Sequence, residues 1–189
     1  TYIERDLPIL GLKTSSKNVS RLISMIAHSH GQLLNKSTFS KSLETSLPTI
    51  RNYLDYLENA FLIRRLYPFY INIKKRLVKS PKIYLRDSGL LHHILRIDDF
   101  NVLSGHPVIG HSWEGYIIEQ IISICGNKFE YSFYRTQDGS ECDLILSISN
   151  APLACIEVKY TSVTKKTRSL STTIHDLKTE HNFLIIPED

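Results

Sequence analysis

Near the C-terminal end, two apolar runs each carry charges two residues apart, and few folds accommodate that. One is Glu141-Cys142-Asp143-Leu144-Ile145-Leu146; the other covers residues 153–160 and contains Glu157-Val158-Lys159. The turn signal Asn150-Ala151-Pro152 lies between them, so the pattern predicts a hairpin. A strand places residues i and i+2 on one face, so Glu141 projects with Asp143, and Glu157 with Lys159. Side by side, the two strands bring four charged groups together. Placing carboxylates and an ammonium in apolar strands is costly unless a cation or mutual pairing compensates. A Mg²⁺ site is the simplest compensation, because that ion accepts one or two carboxylates and fills its octahedron with waters and phosphate oxygens. The plainer alternative is a pair of salt bridges across the hairpin, Lys159 with Asp143 or Glu157, that only helps set register.

The preceding segments supply support. Residues 129–134 alternate like a strand, and 135–140 include the turn signal Asp138-Gly139. Before them, residues 110–124 read as an amphipathic helix with Trp113, Tyr116 and Ile117 facing a core. This helix carries Glu114 and Glu119. Five residues of helix turn through about 500°, so the two acids point roughly 140° apart and only one can face a given site. Glu114 is assigned to the site and Glu119 to solvent.

The first half has a different character. Residues 1–105 hold 16 Lys and Arg against 8 Asp and Glu, a net +8, whereas 106–189 hold 7 against 11, a net −4. A basic half suggests a polyanionic partner, and an acidic half suits carboxylates gathered round a cation. After Asn18, a plausible N-cap, Val19, Leu22, Ile23, Ile26 and Ala27 follow helical spacing to near Gly31. Residues 37–43 suit a second helix. Ser46 caps a third that has Pro48 in its first turn and Ile50, Tyr53, Leu54 and Leu57 on one face. Strands at 61–67 and 82–85, joined by a segment with Lys74, Lys75, Arg76 and Lys79, complete a winged-helix pattern. In such a unit the last helix would present Thr45, Thr49, Arg51 and Asn52 to a groove. The wing, with Lys74, Lys75, Arg76, Lys79 and Lys82, would meet phosphates of duplex DNA. Winged helices also serve as protein-interaction modules or spacers.

At 189 residues the chain is long enough for two small domains, read as 1–105 and 106–189. No stretch approaches the roughly 18 apolar residues of a membrane span, and the start lacks a signal peptide's basic flank and apolar core, so a soluble cytoplasmic chain is expected. Cys125, Cys142 and Cys155 are an odd number without metal-ligand spacing and are expected as reduced core residues.

Together TYIERDLP, GHSWEGYIIEQ, YRTQDGSECDLIL and CIEVKY resemble the C-terminal region of a family of bacterial and archaeal AAA-type ATP-binding proteins. The most specific parts are Gly139, Glu141 and Asp143, with Glu157, Val158 and Lys159. In that family a P-loop ATPase precedes a winged helix and a PD-(D/E)XK nuclease-like fold, a mixed sheet flanked by helices. TYIERDLP resembles the junction. The resemblance implies an α+β chain in which Asp143, Glu157 and the Val158 carbonyl bind Mg²⁺ or Mn²⁺ and Glu114 assists with that ion or a second one. Lys159 would orient or deprotonate a water and stabilise the transition state, and Glu141 is a secondary candidate. Arg135, Lys165, Lys166 and Arg168 could hold phosphates, although a solvated basic surface is the more common meaning of such a run. No G-x-x-x-x-G-K-[ST] loop occurs in the sequence, so ATP would be bound only by an ATPase domain N-terminal to this chain. The chain is thus expected to be part of a longer protein, ending early for a nuclease fold.

Overall fold

The computed structural model describes residues 16–70, 77–162 and 167–188. It is a mixed α and β structure with two sheets. Helix α1 (Ser16–His28) buries Val19, Leu22, Ile23, Ile26 and Ala27, the stripe expected from spacing. Asn18 lies inside this helix rather than ahead of it. Strand β1 (Gln32–Leu33) follows, then α2 (Lys36–Ser42), capped by the Asn35 side chain accepting from the Thr38 N–H at 3.1 Å. Helix α3 (Leu47–Asn59) starts as the sequence predicts: Ser46 accepts from the Thr49 N–H at 3.2 Å, Pro48 sits in the first turn, and Ile50, Tyr53, Leu54 and Leu57 are buried.

Strands β2 (Ile63–Leu66) and β3 (Lys82–Leu85) pair antiparallel, and β1 adds to the far edge of β3, giving the order β1-β3-β2. As the central strand, β3 is buried at all four positions. Ile83 and Leu85 pack under the three helices, while Tyr84 packs the other way, with Leu66, into the core of the second sheet. Two short helices, α4 (Ser88–Ile94) and α5 (Phe100–Ser104), lead to α6 (Ile109–Cys125).

The second sheet has the order β4-β5-β6-β7. Strands β4 (Glu130–Arg135), β5 (Glu141–Ile148) and β6 (Ala151–Val158) run antiparallel, and β7 (His181–Ile185) lies parallel to β6 after the crossover helix α7 (Arg168–Leu177). Ile118 of α6 packs with Leu144, Ile156 and Val158; Leu170 and Leu177 of α7 pack with Ile145 and Cys155. Cys142 and Cys155 depart from the reduced state expected of them. Their Cα atoms stand 6.5 Å apart on neighbouring strands and they are joined as a disulfide, leaving Cys125 free.

The hairpin between β2 and β3 does not project alone. On its outgoing side the Phe69 N–H donates to the Phe133 carbonyl at 2.6 Å, and the Phe133 N–H donates to the Tyr67 carbonyl at 3.0 Å. On its return the Val78 N–H donates to the Arg135 carbonyl at 3.0 Å. Both stems of the expected wing are therefore bound to β4. Among the described residues no helix is long and apolar enough to cross a membrane.

Gly115 marks a close approach of α6 to the first half. A Cβ built there would lie 2.6 Å from His30 Nε2 and 3.1 Å from Tyr84 Cδ1. Both rings are buried, and His30 is fixed by the Leu85 N–H donating to its Nδ1 at 3.1 Å, so neither can yield cheaply. Although Ala is the better helix former, Gly115→Ala is expected to destabilise the protein by about 1–3 kcal/mol through overpacking. Equilibrium denaturation measures this, and an unchanged or raised midpoint would contradict the close contact.

Candidate active site

The expected charges gather in a cleft of about 740 Å³ whose walls include Lys82, Glu114, Glu141, Asp143, Glu157 and Lys159. Asp143 stands at an irregularity of β5. Ser132 pairs with Ile145 and Tyr134 with Cys142, so β5 advances one residue more than β4 and bulges where Asp143 sits. The bulge frees Asp143 from strict alternation. Its Oδ2 accepts from the Val158 N–H at 2.9 Å, which ties it to the strand carrying Glu157. Glu157 is 3% exposed, accepts from the Thr167 hydroxyl at 2.8 and 3.0 Å, and pairs with Lys159 Nζ at 3.2 Å. Thr167 also caps α7, so the helix start and the acid share one hydroxyl. Lys159 is half-exposed. Burial works against its charge, but Asp143 and Glu157 outweigh it and keep the ammonium protonated.

Lys82 departs from its assignment to the wing. Expected among the phosphate-contacting residues, it is 2% exposed and points inward. Its Nζ lies 2.8 Å from Glu114 Oε1, 2.6 Å from Glu141 Oε1 and 3.2 Å from Asp143 Oδ1. Burial opposes the charge, yet Tyr84 and the three acids hold the pKa well above that of a free lysine. The reason for its direction is the alternation of β3: Lys82 and Tyr84 share the face turned to α6, and the Tyr84 hydroxyl donates to Glu114 Oε1 at 2.5 Å.

Of the two acids of α6, Glu114 reaches the site and Glu119 does not, as the helical angle predicts. Glu119 is not solvated, however; Arg64 and Arg86 hold it, the latter at 2.9 Å. Both oxygens of Glu114, expected to assist with a metal, have protein partners. Lys82 and Tyr84 share one of its oxygens, and His111 Nδ1 lies 3.4 Å from the other. Burial would raise its pKa, but Lys82, His111 and Tyr84 bring it down to about 2. Asp143 moves oppositely: burial and the nearby Glu114 charge push it up to about 6, against the pull of Lys82. Glu141 is held by Lys82 and, at 3.5 Å, by Arg135.

Among the described residues no three His, Cys, Asp or Glu side chains form a group able to hold a metal ion. Two carboxylates and a carbonyl suffice for Mg²⁺ when waters complete the shell. Asp143 and Glu157, both buried and lining one cleft, are the two carboxylates such a set needs.

Of the expected nucleic-acid contacts, Arg51, Asn52 and Lys79 are exposed, as is Arg168, while Thr49 is half-buried with its hydroxyl 2.8 Å from that of Ser46. Lys74, Lys75, Arg76, Lys165 and Lys166, and the segment TYIERDLP, lie outside the described residues. Sequence reasoning missed Lys82, Tyr84, His111 and Thr167 as parts of the site. The i, i+2 spacing of Lys82 and Tyr84 in an otherwise apolar strand was the available signal.

Two family models match, one described as Domain of unknown function (DUF8612) over residues 1–101 and one described as Domain of unknown function (DUF4143) over residues 109–189. The uncharacterized proteins Mb2031c of Mycobacterium bovis and Rv2008c of Mycobacterium tuberculosis are each 39% identical over 187 residues, which is 99% of this chain and 42% of theirs. An uncharacterized protein of Haemophilus influenzae is 38% identical over 79 residues, 39% of this chain and 20% of that one. The chain thus spans less than half the length of these curated relatives. A crystal structure of transcriptional regulator PA3341 aligns over 66% of this chain and 88% of that one at 21% identity, with a TM-score of 0.30, too low to speak for a shared fold. With 101 of its 189 residues matched by one model and its nearly full-length likeness to the mycobacterial proteins, the chain belongs to the family described as Domain of unknown function (DUF8612).

Proposed function

We propose that this chain is the DNA-binding, phosphodiester-cleaving C-terminal part of a cytoplasmic AAA-type ATPase. In this reading the first half is a winged helix and the second a PD-(D/E)XK-type nuclease unit acting on duplex DNA with Mg²⁺ or Mn²⁺. ATP would bind only to an ATPase domain N-terminal to this sequence. The observation that carries the reading is the convergence of buried Asp143 and Glu157 with half-exposed Lys159 in one open cleft.

Asp143, Glu157 and the Val158 carbonyl would hold the metal. When bound, the ion lowers the pKa of a water and offsets charge on the scissile phosphate. Thr167 fixes the Glu157 carboxylate. Lys159, protonated and within reach of solvent, orients the attacking water and stabilises charge developing on the phosphate oxygens. Exposed Arg51, Asn52 and Lys79 supply contacts to the duplex.

A second reading, a non-catalytic DNA- or protein-binding module on the same scaffold, is favoured by one observation: Lys82 already compensates three of the acids without a metal. A nuclease assay on the full-length protein with Mn²⁺ and ATP, beside Asp143→Ala, separates the two. Cleavage by the wild type and none by the variant is expected; no cleavage by the intact protein with Mn²⁺ or Mg²⁺ leaves the module reading.

A further inference from the structure

We infer that the Lys82 ammonium is a permanent cation of this site, supplied by the first sheet in the place a second metal would take, so that the centre binds one divalent ion. The inference rests on the metal-binding reading above.

An ammonium has three N–H donors and no acceptor. Lys82 meets three acceptors, one each from Glu114, Glu141 and Asp143, at 2.6 to 3.2 Å. Its hydrogen bonding is therefore saturated by acids from two different elements, α6 and β5. A surface lysine gains almost nothing by such burial, and three clustered carboxylates without a counter-charge would be strongly destabilising, so the arrangement stands only as a unit. What Lys82 leaves untouched is the second oxygen of Asp143, which accepts one hydrogen bond from the Val158 N–H and keeps a lone pair, and Glu157, held by Thr167 and Lys159; with the Val158 carbonyl these would serve one ion.

Charge points the same way. Glu114, Glu141, Asp143 and Glu157 oppose Lys82, Lys159 and, through Glu141, Arg135. The four acids exceed the three bases by one charge. One divalent ion turns that into a single positive charge, the complement of one phosphodiester. A second would leave a large excess of positive charge. Lys82 is thus a positioning residue, holding Asp143 for the ion through its 3.2 Å contact with Oδ1.

The test counts Mn²⁺ bound per chain by the electron paramagnetic resonance of the free ion, using full-length protein without nucleotide. The expected result is one ion for the wild type and two for Lys82→Met, the added ion taking the place of the ammonium. If Lys82→Met does not fold, the charge-balanced Lys82→Met/Glu114→Gln variant is counted instead. It keeps Glu141 and Asp143, so a further ion is still expected. A wild type that binds two ions, or a variant that binds no more than the wild type, overturns the inference. A wild type that binds none while the variant gains one overturns the one-ion centre together with the metal-dependent nuclease reading, and keeps only Lys82 in the place of a cation. One ion in the wild type, a second in the variant and no cleavage upholds Lys82 and leaves the module reading.

Discussion

Lys159→Ala is expected to lower phosphodiester cleavage by roughly 10²–10³-fold, the usual cost of deleting one donor aimed at transition-state charge, while leaving Mn²⁺ binding intact or stronger. Asp143→Ala should lose both. The split follows from what each group touches. Asp143 is buried and tied to Val158, the position proposed to supply the carbonyl ligand. Lys159 is half-exposed and pairs at 3.2 Å with Glu157, so its removal takes a competing positive charge from a metal-binding carboxylate. Single-turnover cleavage and Mn²⁺ titration on the same preparations read the two effects separately. Should cleavage survive both substitutions, the centre lies elsewhere in the cleft, with Glu114 and Glu141 the next to replace.

Acid is expected to weaken the fold through His30 by about 3 kcal/mol between pH 6.5 and pH 4. The ring lies edge-on to Tyr84, with centroids 5.3 Å apart, and its Nδ1 accepts from the Leu85 N–H, so the remaining proton sits on Nε2. Burial leads the fall of its pKa from 6.5 to about 4; Glu114 opposes it, and His111 and His92 add like-charge repulsion. Because the folded value is below the unfolded one, the unfolded chain takes the proton first. The stability contribution is complete above pH 6.5 and disappears as pH falls toward 4. The shifts of Asp143 and Glu114 are opposite, so acid strengthens the fold through one and weakens it through the other; the informative quantity is the difference between wild type and His30→Gln. Denaturant unfolding at pH 7 and pH 4.5 should show the wild type losing more stability than the variant. Equal losses would mean that the folded ring accepts a proton at its ordinary pKa.

Local chemistry was legible in the sequence, and long-range compensation was not. The start of α3 is written in Ser46 and Pro48, and its buried face in the spacing from Ile50 to Leu57. The hairpin of β5 and β6 and the pair Glu157 with Lys159 follow from a period of two. Lys82 was misread because a basic residue at the start of a short strand suits an exposed hairpin equally well. Only the burial of β3 between two cores decides its direction. Glu119 was misread for a related reason: its partners Arg64 and Arg86 lie on and beside the first sheet, and no local pattern announces a contact over that separation. The bulge at Asp143 and the meeting of Cys142 with Cys155 depend on strand register, which composition and periodicity leave open. Strand β1, only two residues long, offers too little periodicity to be seen.

The seam between the sheets has a consequence for inheritance. A recombination joint placed between residues 101 and 109, where the two family models part, would look harmless in the sequence. Yet Leu66 and Tyr84 from one side fill the core of the other, and Lys82 from one side neutralises Glu114, Glu141 and Asp143 from the other. A chimera that drew its first half from a donor without this lysine would receive three crowded acids and no counter-ion. The two halves can therefore be exchanged between lineages only as a matched set.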